Sequence, residues 1–258
     1  MDITLIEAIK VACFIGALVA FLCLERLYPY AKRPLMDTRH LIRNGVFVLT
    51  TVLMSRWWIL PLSLAATQSP IGRGIALPEP LLLLVHFIIL DLALYGWHRL
   101  SHEVPFLWRF HQVHHLDTKM DASTALRFHF GELFFSALFR CGVIMLLAIP
   151  FSHVLLFEAF TALCIFFHHS NIRLPKKVEK HLNPYFITPA LHWMHHHKKQ
   201  AHTDSNYGIS TTAWDRIFGT YTKAARTPNM PLGVEGTHGD ADIFKLMLKP
   251  FHKQNTEV

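Results

Sequence analysis

Apolar residues fall in five runs along the chain, separated by polar and basic stretches. The first covers residues 3–24, with Glu7 and Lys10 near its start. The second, 45–66, holds Arg56 beside Trp57 and Trp58. That arginine marks a kink, a bundle-facing position, or a side chain whose head reaches back to the membrane surface. The third run, 81–97, leads straight into His98. Two shorter runs, 134–150 and 154–167, are divided by Pro150-Phe-Ser-His153, the pattern of a helical hairpin that dips into or crosses a bilayer. An apolar run of about 20 residues is long enough to cross the hydrocarbon core as a helix. The expected architecture is an all-α integral membrane protein. About three full transmembrane helices plus the hairpin would carry a cytoplasmic, histidine-rich helical cap. The chain reads as a single domain, with N-terminal spans over 1–80, a histidine-rich core over 81–220 and a C-terminal tail over 221–258, frayed from Lys249 onward.

Composition agrees with a membrane protein: 52% of the 258 residues are hydrophobic and only 17% are charged. The net charge of +7 raises the question of nucleic acid. In a membrane protein, basic loops facing anionic lipid account for it, and no nucleic-acid partner is expected. Those basic loops also set an orientation. The stretch 25–43, the region around the histidine motifs and the tail are basic, whereas the loop after Ala66 is not. The positive-inside rule then puts the N-terminus outside and the histidine motifs in the cytoplasm. Cys13, Cys23, Cys141 and Cys164 all lie in apolar runs without a Cys-x-x-Cys pair, and read as small buried hydrophobes. Asp2 and Glu7 stand where a cleaved signal would be basic, so the first span is expected to stay in the mature protein.

The candidate chemistry lies in the histidines, 19 in all. His98-x-x-x-His102 is followed by His111-x-x-His114-His115, and a second box of that form, His192-x-x-His195-His196, lies downstream. Residues three and four apart share a helix face, so each box projects its imidazoles side by side. Neutral imidazole is the commonest protein ligand for transition metals. A lone His-x-x-x-His arises often on surfaces, but three boxes at the mouth of a span point to metal. Eight imidazoles exceed the needs of one tetrahedral zinc and fit two ions of higher coordination. Outside the boxes, His197, His202, His238 and His252 read as surface residues, His40, His86 and His153 as structural ones, and His181 stays undecided, leaning to the surface. Asp91, inside an apolar run, needs a partner. It lies on the same helical face as Tyr95 and His98 but about 10 Å from His98 along the axis. Either it orients another ligand histidine from behind, or it bonds to a neighbouring helix. His129 is a supporting or ligand residue, and Glu158 is ambiguous in the same way as Asp91.

Taken together, the motifs resemble the fatty acid hydroxylase/sterol desaturase superfamily over residues 91–220. The matching pieces begin with Asp91-x-x-x-Tyr95-x-x-His98-Arg99-x-x-His102 and Leu107-Trp108-Arg109-x-His111-x-x-His114-His115. They continue through Thr124-Ala125-Leu126-Arg127-x-His129, Phe167-His168-His169-Ser170-Asn171 and Thr188-Pro189-x-x-His192-x-x-His195-His196. Asn206-Tyr207-Gly208 and Trp214-Asp215-Arg216-x-Phe218-Gly219-Thr220 close the pattern. The resemblance implies a di-iron centre of two Fe ions held by the eight box histidines with a further ligand near His169. Some relatives carry a complete third box there, whereas this chain has only the adjacent pair His168-His169. Adjacent residues point about 100° apart on a helix, so one of the two binds, and His169 occupies the family's His-Ser-Asn position. Asp91, Tyr95, His129 and Asn171 are the candidates to support the ligands.

The implied activity is oxidation of a lipid C–H bond with O2 as co-substrate. The chain has no G-x-G-x-x-G or P-loop pattern. Electrons would therefore come from an external donor, a reductase, ferredoxin or cytochrome b5-like protein docking on the basic face. A desaturase or an ether-lipid monooxygenase on the same scaffold stays open. Two readings come from other classes. A metal transporter would place histidines and carboxylates within the spans rather than beyond them. A zinc hydrolase would need the Glu of H-E-x-x-H, which the first box lacks.

Overall fold

The computed structural model describes residues 3–33, 37–223, 226–237 and 241–252. His238 lies outside the described residues. The described chain is helical, with three isolated β-bridges and no named strand.

Helix α1 (Ile3–Leu27) runs three residues past the apolar run that predicts it. Helix α2 is continuous over Thr38–Gln68. It begins at Asp37, whose carboxylate accepts from the His40 amide, a side-chain cap for one orphan N–H. A π turn at Ser55–Ile59 interrupts it, at the Arg56-Trp57-Trp58 cluster. This is the local irregularity that the arginine foreshadows. Helix α3 (Glu79–Glu103) carries the third apolar run and the first histidine box on one uninterrupted helix. At about 1.5 Å per residue its 25 residues reach beyond the ~30 Å apolar layer. Val104, extended ahead of Pro105, ends it, and Pro105 starts α4 (Pro105–His115).

The two shorter apolar runs become α5 (Phe130–Leu147) and α6 (Phe151–His169). Both are longer than the runs, because polar residues at their ends join the helices. His129 caps α5 by accepting from the Gly131 amide, and His168-His169 form the last turn of α6. Each is therefore long and apolar enough to cross a membrane, as are α2 and α3. The hairpin thus consists of two candidate spans. The αL residue Ala148 turns the chain between them.

Helix α3 packs on α4, α5 and α6, the second half of α2 on α5, and α1 on α6. The inner faces meet around Leu90, Cys141, Ile144, Ile149 and Phe157. The outer faces leave Leu49, Leu53, Trp57, Ile88, Leu146 and Leu163 exposed, the inverted arrangement expected when the surroundings are lipid. Glu158 pairs with Arg140 at 3.2 Å, which settles how an acid is carried in α6. Beyond the spans lie α7 (Lys176–Leu182), α8 (Pro189–His195), α9 (Ala213–Ile217) and α10 (Ile243–Leu248). Lys249–Phe251 forms a 3₁₀ turn rather than the start of a frayed tail, because the Phe251 ring packs 5.9 Å from His129 and 6.2 Å from Phe110.

Candidate metal centre

Four helix ends build the centre. The last two turns of α3 and α4 bring His98, His102, His111, His114 and His115; the last turn of α6 brings His168 and His169. Helix α8, started by Pro189, brings His192 and His195, with His196 at its C-cap. The nine histidines expected as ligands fall into two groups. His98, His102, His111, His115 and His195 form one; His114, His169, His192 and His196 form the other. Within each group the nearest ring nitrogens lie within 4.8 Å of one another. The groups share a wall, where His115 and His196 stack with centroids 4.2 Å apart.

Several rings have their tautomer fixed by geometry. A carbonyl or carboxylate oxygen can only accept here, so the facing Nδ1 donates and Nε2 carries the lone pair. His98 Nδ1 meets the Tyr207 carbonyl at 2.8 Å, and His195 Nδ1 the Ser205 carbonyl at 2.8 Å. His169 Nδ1 meets the Ile165 carbonyl at 2.7 Å, and His111 Nδ1 the Glu132 carboxylate at 2.6 Å. The bare Nε2 of His169 then lies 3.0 Å from His114 Nε2 and 2.9 Å from His192 Nε2. Buried nitrogens of His102, His114, His115, His192, His195 and His196 have no hydrogen-bond partner. Burial pushes the pKa of His195 down to about 3. Burial, then neighbouring histidines, holds His114, His115, His192 and His196 well below the usual range. Neutral, buried imidazoles with converging lone pairs are the donor set of a transition-metal site, and the residues fit such ions.

The sequence profile of the fatty acid hydroxylase family matches residues 83–220. The chain belongs to this family. It is 28% identical over 245 residues to the ornithine lipid hydroxylase OlsE of Rhizobium tropici, an alignment that covers 89% of this chain and 72% of that one. It is 35% identical over 136 residues to the alkylglycerol monooxygenase of Xenopus tropicalis, covering 52% of this chain and 29% of that one. It is 30% identical over 153 residues to human cholesterol 25-hydroxylase, covering 57% of this chain and 55% of that one. Several of the relatives it matches are therefore much longer than the region they share with it. No solved structure matches the chain significantly.

In this member of the fatty acid hydroxylase family, the expected supporting residues sit elsewhere than in contact with the ligand rings. Asp91 accepts from Ser210 Oγ at 2.7 Å and Trp214 Nε1 at 2.8 Å, not from a ligand histidine. It ties α3 to the segment before and within α9, the neighbour bond rather than the ligand-orienting one. Tyr95 bonds through its hydroxyl to Thr220 and stacks on Phe218. His129 bonds to the Met247 carbonyl and to the Gly131 amide, so it caps α5 and lies outside both histidine groups. Asn171 pairs in both directions with the Ala31 backbone. All four hold the scaffold.

His168 was not among the nine. Its Nδ1 donates to the Ile209 carbonyl at 3.2 Å, its buried Nε2 has no partner, and its ring lies 4.0 Å from that of His192. Glu132 is the residue that sequence reasoning missed outright. It is buried at the start of α5, against His111. Its signal was available: an acid opening an otherwise apolar run, just after Arg127-x-His129. Among the other histidines, His86 and His153 bond to each other, and His153 also to Glu79. His181 and His252 are exposed, while His197 and His202 are half-buried against each other.

Proposed function

We propose that this protein is a membrane-bound di-iron hydroxylase that uses O2 to hydroxylate a C–H bond of a lipid. The observation that carries this reading is the convergence of nine imidazoles into two adjoining groups where the apolar helices α3 and α6 end, in a chain of the fatty acid hydroxylase family. The five-histidine group would hold one ion and the four-histidine group the other. His168 stands as a further donor beside the second group. When bound, iron supplies the activation of O2 that attack on an unactivated C–H bond needs. The overall change is R–H + O2 + 2 electrons + 2 protons giving R–OH + H2O.

The chain's own part is to hold, orient and exclude. Each fixed Nδ1–H contact leaves an Nε2 lone pair for metal. Glu132 accepts from His111 Nδ1 and pins its ring. Burial of the histidine rings keeps water from their nitrogens. The first box continues α3 without a break, so the centre lies close to the bilayer surface, within reach of a lipid drawn from the membrane. The positive-inside rule puts this face in the cytoplasm and the N-terminus outside. Its basic surface there suits an acidic external electron donor, a reductase, ferredoxin or cytochrome b5-like protein.

Hydroxylation is favoured over ether cleavage because the relative aligned over most of both chains is a lipid hydroxylase. An ornithine-type polar lipid is the first substrate to try for the same reason. Lipid profiling of cells with and without the protein tests the reading. A lipid gaining the mass of one oxygen supports it, loss of two hydrogens points to desaturation, and an unchanged profile across polar lipids and sterols opposes it.

A further inference from the structure

Three carbonyls that face metal-centre histidines come from one short segment. Ser205, Tyr207 and Ile209 accept from Nδ1 of His195, His98 and His168 respectively. Their spacing is two residues, and the path of the segment turns all three carbonyls toward the histidine rings. These histidines come from three different helices, α8, α3 and α6, and no contact within any of those helices could hold all three rings in register.

The segment is itself fastened by one carboxylate. Both oxygens of Asp215 take backbone amides: Oδ1 from Tyr207 at 2.8 Å and Oδ2 from Gly208 at 2.9 Å. Thr220 Oγ1 adds a third donor at 2.7 Å, and Asp215 is fully buried. The approach is close enough to require glycine: a Cβ at position 208 would stand 2.8 Å from Asp215 Oδ2 and 2.5 Å from the Thr211 carbonyl. Asn206, with φ of 54°, makes the bend. Its side chain bonds to the Leu191 and Thr222 carbonyls and accepts from the Thr222 amide. With the amides of 207 and 208 drawn toward Asp215, the carbonyls of 205, 207 and 209 are left for the histidines.

We propose that Asp215 is a positioning residue for the metal centre: by clamping the backbone of 207–208 it aims three carbonyls that hold His98, His168 and His195 as Nδ1–H tautomers. The clamp gives the Asn206-Tyr207-Gly208 and Trp214-Asp215-Arg216 motifs a shared task, although neither supplies a ligand. Its consequence for metal rests on the di-iron reading; the tautomer pattern stands without it.

The test uses full-length, detergent-purified protein labelled with 15N-histidine and exposed to zinc as a diamagnetic probe, with imidazole signals assigned by single histidine replacements. Wild type is expected to show Nδ1–H at His98, His168, His195 and His111. Asp215→Asn puts a donor where amides need an acceptor. His98, His168 and His195 then lose the Nδ1–H signature, and zinc leaves roughly 10-fold faster or more, while His111, held by Glu132, keeps its tautomer. Glu132→Ala gives the reverse pattern, changing His111 alone. Thr220→Val, which removes one of the three donors to Asp215, moves the same signals as Asp215→Asn by less, and decides the matter if Asp215→Asn does not fold. Unchanged His98 and His195 tautomers in whichever of these two variants folds overturn the proposal. So does a change that spreads to His111 as well, since general loosening would do that. Failure of wild type to take up zinc would count against the metal reading alone, because the tautomers are read independently of it.

Discussion

Two buried polar nests lie side by side in this protein, and they are built on opposite rules. One is centred on Asp117, two residues after His115. Its carboxylate meets His40 Nε2 at 3.1 Å, Asn44 Nδ2 at 3.2 Å, Thr124 Oγ1 at 2.7 Å and the Lys119 amide at 2.9 Å. Arg127 stands 3.7 Å away and gives its Nε–H to the Val113 carbonyl. Burial opposes ionisation of Asp117, but Arg127 and His40 override it and hold the carboxyl well below its usual range. Donors and acceptors there answer one another. The other nest is the histidine centre, where nitrogens face nitrogens and many have no answering group. A buried polar atom left unpaired costs about 1–3 kcal/mol, so a fold that gathers so many in one place is arranged for a cation. The contrast teaches that burial of histidine alone says little; the presence or absence of a partner separates a strut from a ligand.

The largest effect that would break this contrast is at the ligands. His111→Ala or His195→Ala is expected to abolish lipid oxygenation and strip the iron from its group while the protein still inserts. Product yield and bound iron, measured on the same membranes, check it, and an undiminished yield would remove that residue from the centre. Next comes Asp117→Asn, which removes the buried negative charge that Arg127 and His40 face. It should cost about 3–5 kcal/mol of stability, read as a lower melting temperature in detergent, while the fraction that stays folded binds the wild-type amount of metal. Loss of metal with no loss of stability would mean the two nests are one. Glu132→Gln keeps an acceptor but removes the charge behind His111, so metal release should quicken about 10-fold, visible by chelator competition. The smallest effect belongs to His252, exposed beyond the last turn. His252→Ala should shift stability by no more than about 0.5 kcal/mol and leave bound iron unchanged.

Much of this was legible in the chain because it is periodic. Apolar runs gave the spans, and spacings of three and four put each box on one helix face. The adjacent pair His168-His169 was harder. Its reading rested on one of two neighbours pointing inward, yet the Ile209 carbonyl, from far along the sequence, holds the His168 ring beside that of His192. Asp91, Tyr95 and Asn171 mislead for a related reason. Each belongs to a motif that contains ligands, but their partners, Ser210, Trp214, Thr220 and Ala31, come from distant segments that only tertiary packing brings near. Glu132 was hidden by its setting in an apolar run, where an acid is easily passed over as a helix N-terminal residue. Backbone acceptors such as the carbonyls of 205 and 207 leave no mark in sequence at all, since every residue has one.

The central claim is that the two histidine groups are two metal sites of one centre. The most direct test is the metal content of the purified full-length protein, grown with iron and measured per chain by elemental analysis. The account predicts two irons per chain, falling when either His111 or His195 is replaced by Ala. A single tightly held zinc that survives those replacements, or no bound metal in folded protein, would contradict it.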